Sequence, residues 1–330
     1  MSPIERFFAY AAERHAIYLR RQMGIPKGQL TDDIILRTYR FCNVFRELDT
    51  TTIWLRENVR DPLRAKPEVL LATALFRWFN RVQTGEAIFS QTCMIPESPR
   101  SYTVWEQFLE TGDIVPLKTA IIAFCGAGPY VTGSYIIKTP DGRSKLDGVL
   151  WCVREFSRSS HTLLGQSSDW RSAADQCLAS GGTVSLRDMW RWLLSHTFLG
   201  PFMAYEIVSD LRYTDLLCNA PDILTWANPG PGAIRGLNRI AGRPLDSVSA
   251  KDIWNEEMQN LLRISYSSVY WPRWNGQAYE SATGMPSDAD PWQPDSWPVW
   301  DMRTVEHTLC EFDKYERVRL GQGAPRQKFR

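Results

Sequence analysis

The chain has 330 residues, 44% hydrophobic, 23% charged and 12% aromatic, with Lys+Arg 38 against Asp+Glu 37. That length supports a core of its own, and the composition excludes a disordered chain and an overall basic nucleic-acid coat. A nucleic-acid partner would need a local basic stripe, for which residues 314–330 (KYERVRLGQGAPRQKFR) are the candidate tail, a solvated end being the plainer reading. The seven cysteines, at 42, 93, 125, 152, 177, 218 and 310, are scattered with no C-x-x-C pair. They predict neither a disulfide framework nor a zinc or iron–sulfur set, and the expectation is of no metal and a reducing compartment. No apolar run has membrane-spanning length and the first residues lack a signal-peptide pattern, so a cytoplasmic protein with no membrane partner is expected.

In chain order, residues 3–24 carry Phe7, Phe8, Ala11, Ala12, Ile17 and Leu19 at helical spacing, ended by Gly24-Ile25-Pro26. Thr31 followed by Asp32 and Asp33 reads as a cap opening a second, long helix to about Glu57. Further helical patterns cover 66–82, 102–110, 114–124, 146–158 and 169–179. The segment YVTGSYIIKTPDGRS predicts a short β-hairpin around Asp141-Gly142. Residues 183–196 form a strongly one-sided helix, and Thr-Phe-Leu-Gly-Pro then leads directly into another, so a helix hairpin is expected over about 183–216. A short helical piece from Asp222 to Trp226 precedes Asn228-Pro229-Gly230-Pro231-Gly232, a turn opening the next helix, and 250–266 and 303–318 complete the set. Residues 270–300, rich in Pro and Trp, predict an ordered wrap pinned by aromatics or a lid. With no repeat and no clean linker, the expectation is one two-lobed helical unit over 1–330, mainly α with a small β-hairpin.

Four constellations could carry chemistry. In RFCNVFRELD, a continuous helix would place Arg40, Asn43 and Arg46 on one face with Asp49 a turn beyond. Two guanidiniums there would suit a phosphate, whereas a solvated stripe with an Arg46–Asp49 pair is the plainer reading. HTFLGPFMAYEIV resembles a helix-hairpin-helix, in which N–H groups beside Gly200 would grip a DNA phosphate, a tight turn between core helices being the alternative. The Pro229–Gly232 turn, with Gly230, Gly232 and Arg235, forms a candidate anion cradle or an ordinary helix start. Gly236 inside that helix costs about 1 kcal/mol and predicts a close approach. In VEHTLCEFDKYERVR, Val305, Leu309 and Phe312 make the buried stripe, while His307, Glu311 and Lys314 offer a base and a cation. A surface helix with charge pairs explains most of that pattern, and a metal pair at His307 and Glu311 is allowed by spacing but lacks a third ligand. No P-loop, no Rossmann glycine motif and no serine-hydrolase elbow occurs in these residues.

Taken in order, RFCNVFRELD, GPFMAYEIVSDLRYT, WANPGPGAIRGLNRIAGRP and VEHTLCEFDKYERVR resemble the α-glutamyl/putrescinyl thymine pyrophosphorylase family, over about residues 30–328. That family is similar to the helical domain of 5-hydroxymethyluracil DNA kinases and includes bacteriophage amino acid:DNA transferases. The resemblance implies a helical, DNA-glycosylase-like architecture and a phage source. It implies an enzyme that replaces the pyrophosphate of 5-pyrophosphoryloxymethyluracil in double-stranded DNA with an amine or amino acid such as glycine, glutamate or putrescine. The base would be flipped from the duplex. The absence of a P-loop in these residues fits that second step rather than the preceding phosphorylation.

On this resemblance Arg40, Arg46 and Arg235 hold the departing pyrophosphate, with Asn43 beside them and Gly230 and Gly232 lending N–H groups. One of Asp49, Asp222, His307 and Glu311 takes the amine proton, Asp222 being favoured by analogy with the glycosylase aspartate that follows the hairpin. Gly200 and Lys314 contact DNA phosphates. No cofactor is required by this scheme, although a divalent cation could accompany the pyrophosphate. A glycosylase using Asp222 and water, a non-catalytic DNA-binding module, and a structural interaction protein are the alternatives.

Overall fold

Ser2 opens the first helix with a reciprocal cap: its hydroxyl accepts the Glu5 N–H while the Glu5 carboxylate accepts the Ser2 N–H. The computed structural model describes residues 1–94, 101–134, 136–266, 271 and 299–329. In chain order the helices are α1 (Pro3–Gln22), α2 (Ile34–Thr38), α3 (Thr50–Leu55), α4 (Glu68–Phe79), α5 (Val82–Phe89), α6 (Val104–Thr111) and α7 (Val115–Cys125). They continue as α8 (Lys145–Arg158), α9 (Trp170–Ala179), α10 (Leu186–Leu194), α11 (Pro201–Leu211), α12 (Pro231–Ile240), α13 (Lys251–Ser265) and α14 (Met302–Arg319). Two antiparallel pairs, β1 (Thr92–Met94) with β2 (Ser101–Thr103) and β3 (His161–Leu163) with β4 (Gln166–Ser168), are the strands among the described residues. The protein is mainly helical, and it divides into two compact units, one of Met1–Asp49 with Ile223–Arg330 and one of Thr50–Asp222.

The first unit is built on α14, which α1, α2, α12 and α13 surround. The surface helix expected there is instead buried on nearly every side, and its polar residues survive burial by pairing. Glu306 meets Arg303, Glu316 meets Arg6 and Arg319, and Asp313 accepts from both Arg235 and Arg239 at 2.8 Å. Gly236 is explained by the same helix, because a Cβ there would lie 2.5 Å from the Leu309 carbonyl oxygen. One turn earlier, a Cβ on Gly232 would collide with Cys310, so α12 meets α14 along a strip without side chains. Trp300 packs on Phe7 and Phe8, and Trp271 on Trp300, His15 and Phe45. Of the expected 270–300 wrap, residues 270 and 272–298 lie outside the described residues.

The second unit is built on α4, buried from Val69 to Phe79 and packed by α11, α8 and α9. A charged network sits inside it: Arg77 grips Asp210 through two nitrogens, with Nη2 2.7 Å from Oδ1, and Arg60 lies 3.6 Å from the same carboxylate. Arg77 also donates to Asn80 and Thr52, so its donors have fixed acceptors. α10 and α11 form the expected helix hairpin, with Gly200 capping α11 and Pro201 at its first position.

Four local expectations give way. Residues 39–45 are extended rather than helical, because their N–H groups are claimed from elsewhere: Arg40 by Gln327, Cys42 by Glu311 and Asn43 by Asp49. Phe41, Val44 and Phe45 are buried from that extended segment, so packing outweighs helical periodicity. Asp33, not Thr31, caps the short α2. Asp141-Gly142 does turn, but its described flanks form no strand, and the strand pairs lie at β1/β2 and β3/β4. Residues 222–225 form turns and Trp226 is irregular, so no helix covers 222–226. The basic tail also returns to the fold, since Lys328 bridges Tyr39 and the Phe329 N–H reaches the Thr38 carbonyl.

Candidate functional site

Within the first unit, the segment 40–49, extended and then a 3-10 turn at 46–48, meets α14 and brings together residues more than 250 positions apart. Asn43 is its organiser. Its backbone N–H and its Nδ2 both donate to Asp49 Oδ1 at 3.0 Å, Nδ2 also donates to the Leu48 carbonyl, and its Oδ1 accepts from Arg14 at 2.8 Å. Its carbonyl lies 3.1 Å from His307 Nε2. A carbonyl only accepts, so Nε2 carries a proton there.

Glu311, one turn along α14, accepts the Cys42 N–H at 2.8 Å and the Lys314 ammonium at 2.7 Å. Burial opposes its charge, yet Lys314, His307 and the Cys42 N–H outweigh burial and hold its carboxyl below the ordinary range. Asp49 moves the other way: burial raises it, and the Asn43 N–H, Arg46 and Arg14 only partly offset that. The site thus pairs one carboxylate committed to its charge with one biased toward taking a proton. Lys314 also lies over the Phe41 ring.

Of the residues expected from the sequence, Asn43, Asp49, His307, Glu311 and Lys314 converge here, while the Arg40 residue is exposed and Arg46 contributes charge beside Asp49. The helical face proposed for Arg40, Asn43 and Arg46 does not exist, since the backbone there is extended and Arg46 opens a 3-10 turn. Arg235 is engaged by Asp313, and the Gly230 N–H points at Glu306 Oε1, 3.3 Å away, so the α12 start already faces a carboxylate of its own chain. Gly232 serves the contact with Cys310. Gly200 and Asp222 belong to the second unit. Both Asp222 oxygens are used by the first turn of α10, accepting from Leu186 N at 2.7 Å and Arg187 N at 3.0 Å.

Sequence reasoning missed Arg14 and Cys42. The Cys42 residue is exposed, yet desolvation by the surrounding protein, then the charges of Glu311 and Asp49, push its thiol up. Its sulfur, an Asp49 oxygen and a His307 nitrogen lie within 4.8 Å of one another. The signal was present in RFCNVFRELD, but a helical reading holds Cys42 two turns, about 10 Å, along the axis from Asp49.

The site thus joins an imidazole, a carboxylate and an ammonium carried by one long buried helix to Asn43 and Asp49 of the neighbouring segment. A family model described as the helical domain of 5-hmdU DNA kinase matches residues 2–324, and the chain belongs to that family. It is also 34% identical over 331 residues to a 5-hmdU DNA kinase of Bacillus phage SP10, an alignment covering 94% of this chain and 44% of that relative. The chain therefore spans less than half the length of the curated relative it matches. No solved structure matches it, and no helix among the described residues is long and apolar enough to cross a membrane.

Proposed function

We propose that this chain acts in thymine hypermodification of DNA, transferring an amine or amino acid onto 5-pyrophosphoryloxymethyluracil with release of pyrophosphate. The observation that carries the reading is the convergence of Asp49, His307, Glu311 and Lys314 around Asn43, in a chain of the 5-hmdU DNA kinase helical-domain family. Family membership supports DNA bearing a modified uracil as the partner, and the resemblance to amino acid:DNA transferases supports the finer chemistry.

In this scheme the amine nitrogen attacks the exocyclic methylene carbon of the flipped base. A C–N bond forms as the C–O bond to pyrophosphate breaks, and the bonding pair leaves on the phosphate oxygen. The attacking nitrogen must lose a proton, and Asp49, raised by burial, is the acceptor best matched to it. His307, fixed by the Asn43 carbonyl, positions the amine, while Lys314 with Arg40 and Arg46 supplies positive charge for the leaving group. Asp222 is assigned to supporting α10 instead of proton transfer, because both its oxygens already accept backbone N–H groups.

The test is pyrophosphate release from DNA carrying 5-pyrophosphoryloxymethyluracil, with glycine, glutamate or putrescine present. Release that depends on an amine and is lost in Asp49→Asn supports the reading. Abasic sites would move the chain to glycosylase chemistry, and DNA affinity without release would leave a binding domain.

A further inference from the structure

We propose that Lys27, Arg37, Arg326 and Lys328 form one surface that holds the phosphate backbone of duplex DNA, independently of base sequence. The class of partner rests on the DNA reading above, and the placement rests on how the C-terminal tail is tied down. Four contacts anchor that tail: the Arg40 N–H donates to the Gln327 carbonyl at 3.2 Å, the Phe329 N–H to the Thr38 carbonyl at 3.0 Å, Lys27 Nζ to the Phe329 carbonyl at 3.1 Å, and Tyr39 bridges Lys328. Lys27 and Lys328 take part in these contacts themselves, and Arg37 and Arg326 each adjoin one in sequence. The two ends of the chain are thereby gathered on one surface, where all four side chains belong to exposed residues.

The charge of this surface has no counterpart within the fold. No ion pair reaches any of the four among the described residues, whereas the same unit pairs Arg235 and Arg239 with Asp313 and Arg319 with Glu316. Residues 317–330 contain no acid, and 21–40 contain two, Asp32 and Asp33. Asp33 is committed to capping α2 and to the Tyr315 hydroxyl, 2.7 Å away, which leaves Asp32 against four cations. Two ring contacts offset part of the repulsion, with Lys328 Nζ 4.1 Å from the Tyr39 ring centre and Lys27 Nζ 5.4 Å from that of Phe329. Each ammonium keeps further donors for phosphate oxygens. Exposed cations without carboxylates are what a phosphate backbone recruits, since its affinity comes largely from counterion release.

The surface adjoins the candidate site without sharing its residues. Tyr39, which bridges Lys328, precedes Asn43 by four residues, at most about 14 Å of extended chain. That is about four nucleotide steps along one strand. Arg40 lies between them and is assigned to the leaving group, so it stands outside the set.

The experiment is fluorescence anisotropy of a labelled, unmodified duplex titrated with the full chain at several salt concentrations. The triple variant Arg37→Gln, Arg326→Gln, Lys328→Gln should bind at least tenfold more weakly at low salt. Its plot of log affinity against log salt should flatten by about 2–3, near 0.9 for each lost phosphate contact. Arg171→Gln, which removes an exposed cation already paired with Glu68, should change neither quantity. If the triple variant fails to fold by circular dichroism, the double variant Arg37→Gln, Arg326→Gln, whose side chains take no part in anchoring the tail, decides by a slope change of about 2. Unchanged affinity and slope in folded variants, or an equal loss with Arg171→Gln, would overturn the surface and leave the DNA reading standing. A wild-type chain without affinity for the duplex would overturn both. Labelled duplex displaced by polyglutamate at a lower charge concentration than by unlabelled duplex would assign the surface to an acidic protein and overturn it as a DNA contact.

Discussion

Asp210→Asn removes one negative charge from between two guanidiniums while preserving shape. Asp210 is 2% exposed, Arg77 0% and Arg60 1%, so no solvent replaces the lost charge. Arg77 is anchored to Asn80 and Thr52, which limits its relaxation toward water. The asparagine would also turn an NH2 group toward N–H donors on one side. Breaking a buried pair in this way costs about 3–5 kcal/mol, a large part of the roughly 5–15 kcal/mol that holds a domain folded. With a urea dependence near 3 kcal/mol/M, the unfolding midpoint should fall by about 1–2 M. The exposed Arg64–Asp215 pair supplies the contrast, since both side chains are about half open to water and Asp215→Asn should cost less than about 1 kcal/mol. Urea unfolding followed by circular dichroism reads both variants. A loss below about 1 kcal/mol for Asp210→Asn would refute the view that this carboxylate neutralises a buried cation pair.

Gly236→Ala puts a methyl group against the Leu309 carbonyl and should destabilise the protein by at least about 1–3 kcal/mol, where a helix-interior alanine without that neighbour would stabilise it; thermal unfolding gives the sign. His196 is lowered to about 3 by burial and by His161. Its folded value lies below the unfolded one, so its contribution is complete above pH 6.5 and is lost between there and about 3, by roughly 1.4 kcal/mol per pH unit. A ring proton resonance that titrates near pH 6.5 in the folded state would contradict this. Asp222→Ala leaves two N–H groups of α10 unsatisfied and should lower stability by about 0.5–2 kcal/mol. If it instead abolishes amine transfer with stability unchanged, proton transfer belongs to Asp222. Asn43→Ala frees both Asp49 and His307 and should reduce transfer by more than tenfold while DNA affinity, read by fluorescence anisotropy, changes little.

Most helices were legible because their apolar residues recur at helical spacing and their ends carry side-chain caps, as at Ser2, Thr103, Ser144, Asp169 and Ser185. The segment 39–45 was not, since its conformation is decided by Gln327, Glu311 and Asp49, partners that local periodicity cannot reveal. Gly236 did signal a close approach, but the same blindness hid what approaches it, since Leu309 is 73 positions away in α14. At the candidate site, residue types grouped His307, Glu311 and Lys314, which one helix holds close together. Their meeting with Asn43 and Asp49 and the inclusion of Cys42 required the extended path of the backbone. Arg235 and Gly230 looked open in sequence because Asp313 and Glu306, which occupy them, sit on another helix.

The central claim is chemical transfer onto a modified thymine. Its most direct test is mass spectrometry of intact nucleosides after the chain is incubated with DNA carrying 5-pyrophosphoryloxymethyluracil and a mixture of amino acids and polyamines. The proposed function predicts a nucleoside whose mass has lost pyrophosphate and gained one amine, with the mass naming that amine, and no such product with Asp49→Asn. Unchanged nucleosides, or free base with abasic sites, would contradict it.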